Sequence, residues 1–576
     1  MKKIFASVCF LVVALTVTSK YLDGQVQPAD LVLRGGRILT LDAAVPEAQA
    51  LAARNGAIVA IGSNADVDRF VGSSTQVIDL GGQLAIPGFI EGHGHFTGVG
   101  EGKMNLELMG TRSWNEIVQM VAQAVEKAKP GQWIIGRGWH QEKWSSTPQP
   151  NVEGFPTHDS LDKIAPNNPV ILTHASGHAS FANQKALELS GITAATPNPE
   201  GGEILKDKAG NPTGLLRETA SRLVRRGAGE PTPTAEEAEA RARRALELAD
   251  QEAITKGITS FQDAGSSFEV IDRVKRMIDE GKMNVRLWMM VREYDPAALA
   301  ANRVIGYGNN RLTVRAIKIT ADGALGSRGA WLLEPYSDLP EGSVPVTTSR
   351  VGLPSVSMDL VRKRAQIAYE QGYQMCIHAI GDRANREVLN IYEETFKRNN
   401  RNGRDLRWRI EHAQHLNGAD IPRFGQLGVI ASMQGVHCTS DAPWVTPRLG
   451  ARRAEEGAYV WQKLMKSGAV VTNGTDAPVE DVDPIASYYA SVTRKAADGN
   501  VFYGDQRMSR MEALRSYTIA NAYAAFEEDI KGTLSRGKLA DVTVLTKDIT
   551  TIPDDQIKTA KVAYTIIGGR VVYKAN

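Results

Sequence analysis

Between residues 84 and 476 the chain alternates eight short apolar runs with longer amphipathic stretches, and this rhythm restricts the fold more than any other feature of the sequence. The runs are Leu84 to Gly92, Gly257 to Asp263, Val285 to Val291, Leu312 to Thr320, Gln374 to Ala379, Leu406 to Ala413, Gly428 to Gln434 and Ala469 to Asp476. Short apolar runs of this kind read as strands buried within a sheet. The stretches Ala235 to Lys256, Ser357 to Gln371 and Asp382 to Lys397 carry helical periodicity. Such alternation predicts βαβ units and a parallel sheet, and eight strands is the number that closes a barrel.

A barrel takes roughly 250 residues, so a chain of 576 has length for more. From Leu31 to Ile86, and again from Gly537 to Tyr573, short runs alternate apolar and polar positions between Gly-Gly or Asn-Gly turns. These predict antiparallel strands of one small β-sandwich, built from residues 28–86 and 537–576. Residues 104–230 are rich in Trp, Gly and Pro and fit no βα unit. They read as a subdomain inserted after the first strand of a barrel spanning residues 87–536, on the face where βα loops build active sites. The expected fold class is therefore α/β: a (β/α)8 barrel with a sandwich from both chain ends and an insert.

With 67 Lys+Arg against 65 Asp+Glu, the net charge is +2, which argues against nucleic acid as a partner. The chain opens Met1-Lys2-Lys3, then an apolar run from Ile4 to Val17, then Thr18-Ser19. A basic start, a run short of the ~20 residues of a spanning helix and small residues after it read as a signal segment over residues 1–24, giving an exported, periplasmic or secreted protein. An uncleaved anchor is the competing reading and the only membrane association expected. Cys9 lies in that segment, and Cys376 and Cys438 are expected as buried thiols rather than a bridge. Gly98-Val-Gly-Glu-Gly102 does not complete a dinucleotide fingerprint, so no nucleotide cofactor is expected. The expected partner is a small-molecule substrate, and a homodimer is compatible with the sequence.

The chemistry gathers at strand ends. Pro87-Gly-Phe-Ile-Glu-Gly-His-Gly-His95 places His93 and His95 two residues apart on a strand, so both imidazoles face one side and can reach one cation. Lys318, His378, His412 and Asp476 stand at the C-terminal ends of four other expected strands. His378 and His412 are 34 residues apart, one βα unit, and His412 and Asp476 are 64 apart, two units.

The motifs Pro87 to Phe96, Ile317-Lys-Ile-Thr-Ala-Asp-Gly-Ala-Leu-Gly326, Ile377-His-Ala-Ile-Gly-Asp382, Glu411-His-Ala-Gln414 and Gly474-Thr-Asp-Ala-Pro-Val479 together resemble the amidohydrolase superfamily. The branch is amidohydrolase 3, which includes YtcJ-like proteins and N-substituted formamide deformylases. Glu91 stands where that family usually has Asp. The resemblance implies one or two divalent metals, commonly zinc. It assigns His93, His95 and Asp476 to the first metal and His378 and His412 to the second, with a carboxylated Lys318 bridging them. A buried lysine beside cations is neutral enough to form a carbamate. Metal lowers the pKa of water from 15.7 toward about 7 and polarises a carbonyl, which makes Asp476 the candidate general base. His178 resembles a family segment near the substrate and is a candidate for polarising or binding it; His174 is the lesser candidate. Gln434 and His437 follow the seventh strand and could line the pocket. Trp139 and Trp144 offer an apolar wall for substrate, against core packing of the insert. Arg328 and Asp322 follow Lys318 as supporting groups, Arg328 with a possible substrate contact.

The expected activity is hydrolysis of a non-peptide C–N bond, in an amide, formamide, N-acyl group or cyclic amide. The same site could instead cleave C–O or P–O bonds in lactones, carbamates or phosphoesters. A non-catalytic exported binding protein is the alternative from another class.

Overall fold

A computed structural model describes residues 27–339 and 350–576. The expected signal segment lies outside the described residues. Eight parallel strands follow one another around a barrel in chain order: Phe89–Gly94, Ile258–Ser266, Arg286–Val291, Leu312–Thr320, Gln374–Ala379, Arg409–His412, Ile430–Gln434 and Val471–Gly474. Each is nearly or wholly buried, as strands covered on both faces must be. The α/β barrel expected from the alternation is thus present.

The barrel closes between its eighth and first strands. The Asp476 N–H donates to the His93 carbonyl at 2.7 Å, and the Thr475 N–H donates to Glu91 Oε1 at 2.6 Å. Glycine makes this approach feasible: a Cβ on Gly92 would lie 2.3 Å from the Asn473 carbonyl oxygen, and one on Gly474 would lie 2.6 Å from the His93 nitrogen.

The run from Leu84 to Gly92, expected as one strand, is two. Leu84–Pro87 belongs to the sandwich, pairing antiparallel with Val542–Leu545, and the barrel strand begins at Phe89. Gly88 makes the joint, its N–H on the Asp541 carbonyl and its α-carbon so close to Thr259 that a Cβ would meet Oγ1 at 2.2 Å.

Both chain ends form two packed sheets. One orders Ala57–Gly62, Ala50–Arg54, Leu31–Arg34 and Gln76–Asp79; the other orders Arg570–Lys574, Val562–Ile567, Val542–Leu545, Leu84–Pro87, Arg37–Leu39 and Glu47–Ala48. Leu33, Leu51, Ile58, Ala85, Val544 and Ile566 share the core between them. The sheets are mixed rather than antiparallel throughout: Leu31–Arg34 pairs parallel with Gln76–Asp79, and Arg37–Leu39 pairs parallel with Leu84–Pro87. The intervening hairpin is antiparallel, but these partners are joined by connections long enough for a crossover.

After the first barrel strand the chain builds a six-stranded sheet ordered Gly202–Lys206, Pro212–Glu218, Ala179–Ala182, Val170–His174, Ile134–Trp139 and Leu106–Glu107. One face packs Trp114, Trp139, Phe155 and Phe181; the other packs Trp133, Ile171 and Leu216. The ends of these strands and their loops deliver Arg137, His140, His174, His178 and Glu218 to a cavity they share with the barrel mouth. The chain returns through the helix Ala235–Thr255, started by a capping box in which Thr234 and Glu237 satisfy each other's backbone N–H groups.

Candidate metal centre and the cavity above it

The first barrel strand carries His93 and His95 to the mouth, and the loop after the eighth strand brings Asp476 against them. Asp476 Oδ1 lies 3.4 Å from His93 Nε2 and 3.2 Å from His95 Nε2. Asp476 has a φ of 58° and His412 one of 76°, left-handed conformations that cost energy in residues other than glycine and are held here by the surrounding fold.

Two of the imidazoles are oriented from behind. His93 Nδ1 is paired with Glu411 Oε2, and Glu411 is in turn paired with Arg409, whose Nε lies 2.7 Å from Oε1. Arg409 is fully buried and donates also to Gln262 Oε1, the Gly92 carbonyl and Ser432 Oγ. Burial would raise the Glu411 carboxyl, but Arg409 and His93 outweigh it and hold the group far below the ordinary range. A carboxylate fixed on Nδ1 sets the His93 tautomer and leaves Nε2 as the lone-pair donor. Gln434 serves His412 in the same way, with Oε1 2.8 Å from Nδ1. Asp322 accepts three backbone N–H groups, from Ile380, Gly381 and Trp331, and stands 3.6 Å from His378 Nε2 without a hydrogen bond to it, on the side of the ring's donor atom.

Burial keeps His95, His378 and His412 well toward the neutral form, the one that ligates metal. Asp476 is driven the other way: burial opposes its charge, but the His93 and His95 rings hold the carboxyl well below its usual range. Lys318, buried in the fourth strand and lining the same cavity, is pushed down to about 8 by burial.

The donor atoms of His93, His95 and Asp476 lie within 4.8 Å of one another, and so do those of His412, His437 and Asp476. The His378 ring stands 4.4 Å from that of His412. His93 Nε2, His378 Nε2, His437 Nε2 and Asp476 Oδ1 are buried with no hydrogen-bond partner among the described residues. Unpaired buried donors in such a cluster are costly without a cation to share, and neutral imidazoles with a carboxylate suit zinc or a related divalent ion. The donor set fits a metal.

A model of the amidohydrolase family matches residues 76–573. The chain belongs to the amidohydrolase family. It is 34% identical to Protein LONG AFTER FAR-RED 3 of Arabidopsis thaliana over 95% of this chain and 92% of that protein. It is 27% identical to the N-substituted formamide deformylase of Arthrobacter pascens over 95% and 99%. A metal-dependent hydrolase from Pyrococcus horikoshii superposes with a TM-score of 0.70 at 26% identity, covering 91% of this chain and 99% of that one.

Within this family fold, the cavity of about 580 Å³ is roofed by the insert. His178 Nδ1 meets Glu218 Oε2 at 2.8 Å, and the His178 ring is 5.3 Å from that of His378. Burial alone would lower the His178 pKa, but the Glu218 carboxylate raises it above the ordinary value. Glu218 has a φ of 49° and reaches between Gly323 and Gly329, where a Cβ on either would come within 2.3 Å of its Oε1. His174 also lines the cavity, with Nε2 3.0 Å from Gln141 Oε1, and burial lowers it to about 3.

Three expected substrate contacts stand elsewhere. Trp139 is fully buried in the insert core with its Nε1 on the Leu172 carbonyl at 2.9 Å, because an irregularity between Arg137 and Trp139, where Gly138 has a φ of 112°, breaks the strand's alternation and turns the ring away from the cavity that Arg137 lines. Arg328 is paired with Asp338 at 2.9 Å and does not line the cavity. Gln434 is spent on His412. Conversely, Glu411, Arg409 and Glu218 carry no isolated sequence signal. His437 had one: it lies a few residues beyond the seventh strand, on the face where the other donors gather.

Proposed function

We propose that the chain is a metal-dependent hydrolase that cleaves a non-peptide C–N bond of a small molecule, an amide or formamide first among them. The observation that carries this is the cluster of partnerless buried donors around Asp476 at the mouth of the barrel. The deformylase relative, matched over nearly its whole length, favours C–N over C–O or P–O cleavage. Retention of all of His93, His95, Lys318, His378, His412 and Asp476 favours an enzyme over a binding protein.

His93, His95 and Asp476 would hold one divalent ion, with zinc the first candidate, and His378 and His412 a second, bridged by Lys318 once it carries carbon dioxide; His437 is a further donor. Such an ion supplies a lowered pKa for water and a polarised carbonyl. Asp476, held ionised, accepts a proton from the attacking water at its free carboxylate oxygen and returns it to the leaving nitrogen. His178, charged through Glu218, donates from Nε2 toward the substrate carbonyl oxygen and steadies the negative charge that develops there. The insert covers both groups and excludes bulk water. The N-terminal segment supports export as the setting.

Asp476→Asn is the test. Turnover of an amide substrate is expected to fall by about 10³-fold or more while the protein stays folded. Unchanged turnover overturns the role of Asp476, and tight ligand binding without turnover in the natural protein supports the binding-protein reading instead.

A further inference from the structure

The cavity is lined by carboxylates and arginines that do not pair with one another. Glu218 meets His178 at 2.8 Å, Glu480 lies 3.8 Å from Lys143, Asp441 accepts from the neutral Tyr459 hydroxyl at 2.5 Å, and Asp476 stands among the imidazoles of the donor cluster. Arg137, Arg222, Arg292 and Arg364 all line the cavity, and none is ion-paired among the described residues.

Two of these are placed to meet a ligand. Arg364, on the helix Met358–Glu370, lies with its guanidinium carbon 3.5 Å over the ring of Tyr294 and makes no hydrogen bond to a described residue. Tyr294 donates its hydroxyl to the Lys318 carbonyl at 2.8 Å, so the stack is tied to the strand that carries Lys318. Arg292 follows the third barrel strand and donates only to the Gly265 and Ala264 carbonyls, at 3.1 and 3.4 Å, out of five N–H groups. Arg137 likewise donates to two backbone carbonyls, those of Ala175 and Pro478, and Arg222, like Arg292, is exposed; Arg292 and Arg364 are set apart because both place their charge beside Tyr294. Stacking holds a guanidinium in place without using its N–H edge, and that planar edge matches a carboxylate in two parallel hydrogen bonds. Repulsion among unneutralised cations in one cavity is relieved when an anion enters.

We propose that Arg292 and Arg364 form a carboxylate subsite, so that the substrates are amides bearing a carboxylate on the part of the molecule that lies along the Tyr294 wall. This rests on the hydrolase reading of the same cavity and names its substrate class.

The test is equilibrium binding of a matched pair, N-acetyl-L-phenylalanine and N-acetyl-L-phenylalaninamide, to the zinc-loaded protein by calorimetry, with hydrolysis of each followed separately. The acid is expected to bind at least about ten-fold more tightly than the amide, the scale of one charge-assisted hydrogen bond, with the preference shrinking at high salt. In Arg292→Gln/Arg364→Gln the ratio is expected to fall to about one while the thermal unfolding midpoint holds. Equal binding of the pair, absence of binding at millimolar concentration, or a preference that survives the double substitution each overturns the subsite. The two readings fail separately: a carboxylate preference without hydrolysis leaves the subsite standing and removes the hydrolase, and hydrolysis without the preference does the reverse.

Discussion

Glu218 holds a left-handed backbone, fills the space between two glycines and bonds His178, and no local pattern in the sequence points to it. Its role follows from His178, whose pKa it raises. Glu218→Gln removes that charge, so the acid form of His178 is lost at lower pH than before. The alkaline limb of the pH–rate profile is expected to move toward acid and kcat to drop by about 10²-fold, with KM much less affected; steady-state kinetics across pH checks this. An unmoved limb sinks the pairing. His93 and His95 were legible because a two-residue spacing on a strand is a geometric statement, and Lys318, His378, His412 and Asp476 because barrel strand ends share one face. Glu411 was visible only as part of a motif. Its pairing with His93 joins residues 318 positions apart, which no local signal encodes. Trp139 and Arg328 failed as substrate contacts because residue type alone does not tell which face of a strand, or which carboxylate, a side chain takes.

The elements were easier to read than their pairings. Apolar runs between helices marked all eight barrel strands, yet the joint at Gly88 was hidden because Leu84–Pro87 and Phe89–Gly94 are both buried and run on without a polar break. The parallel pairings in the sandwich were hidden for a related reason: alternation reports that a strand has two faces, not which neighbour it takes. Among the ties between sandwich and barrel is a buried ion pair. Arg286, opening the third barrel strand, donates to Asp541 through Nε at 2.7 Å and Nη2 at 3.0 Å, and Gly568 donates its N–H to the same carboxylate at 2.8 Å. Burial would raise the Asp541 pKa, but Arg286 lowers it below the ordinary value of 3.8. Asp541→Asn strands the guanidinium and is expected to cost about 3–5 kcal/mol in denaturant unfolding. A depressed carboxyl stabilises above its unfolded pKa and loses that contribution as pH falls through the folded value, so the gap between the two proteins should close below about pH 4. A gap that persists in acid means the pair is not the source of the difference.

At the scale of the molecule, three units divide the work. The barrel supplies the buried donors, the composite sandwich braces the base of its first three strands through Gly88, Thr543 and Asp541, and the insert roofs the cavity with His178, Glu218 and Arg137. The barrel and its donor ring were readable because both repeat with the βα unit. The insert's part was not, since its polar groups reach the mouth through a separate sheet with its own register. The proposed chemistry depends on the donors around Asp476 holding a divalent cation. Metal analysis of the purified protein by inductively coupled plasma mass spectrometry, with intact mass to detect the weight of one carbon dioxide on Lys318, bears on it most directly. Two divalent ions per chain with that adduct are expected, falling to about one in His93→Ala. A folded protein that binds no divalent metal, even when supplied with zinc or manganese, would contradict it.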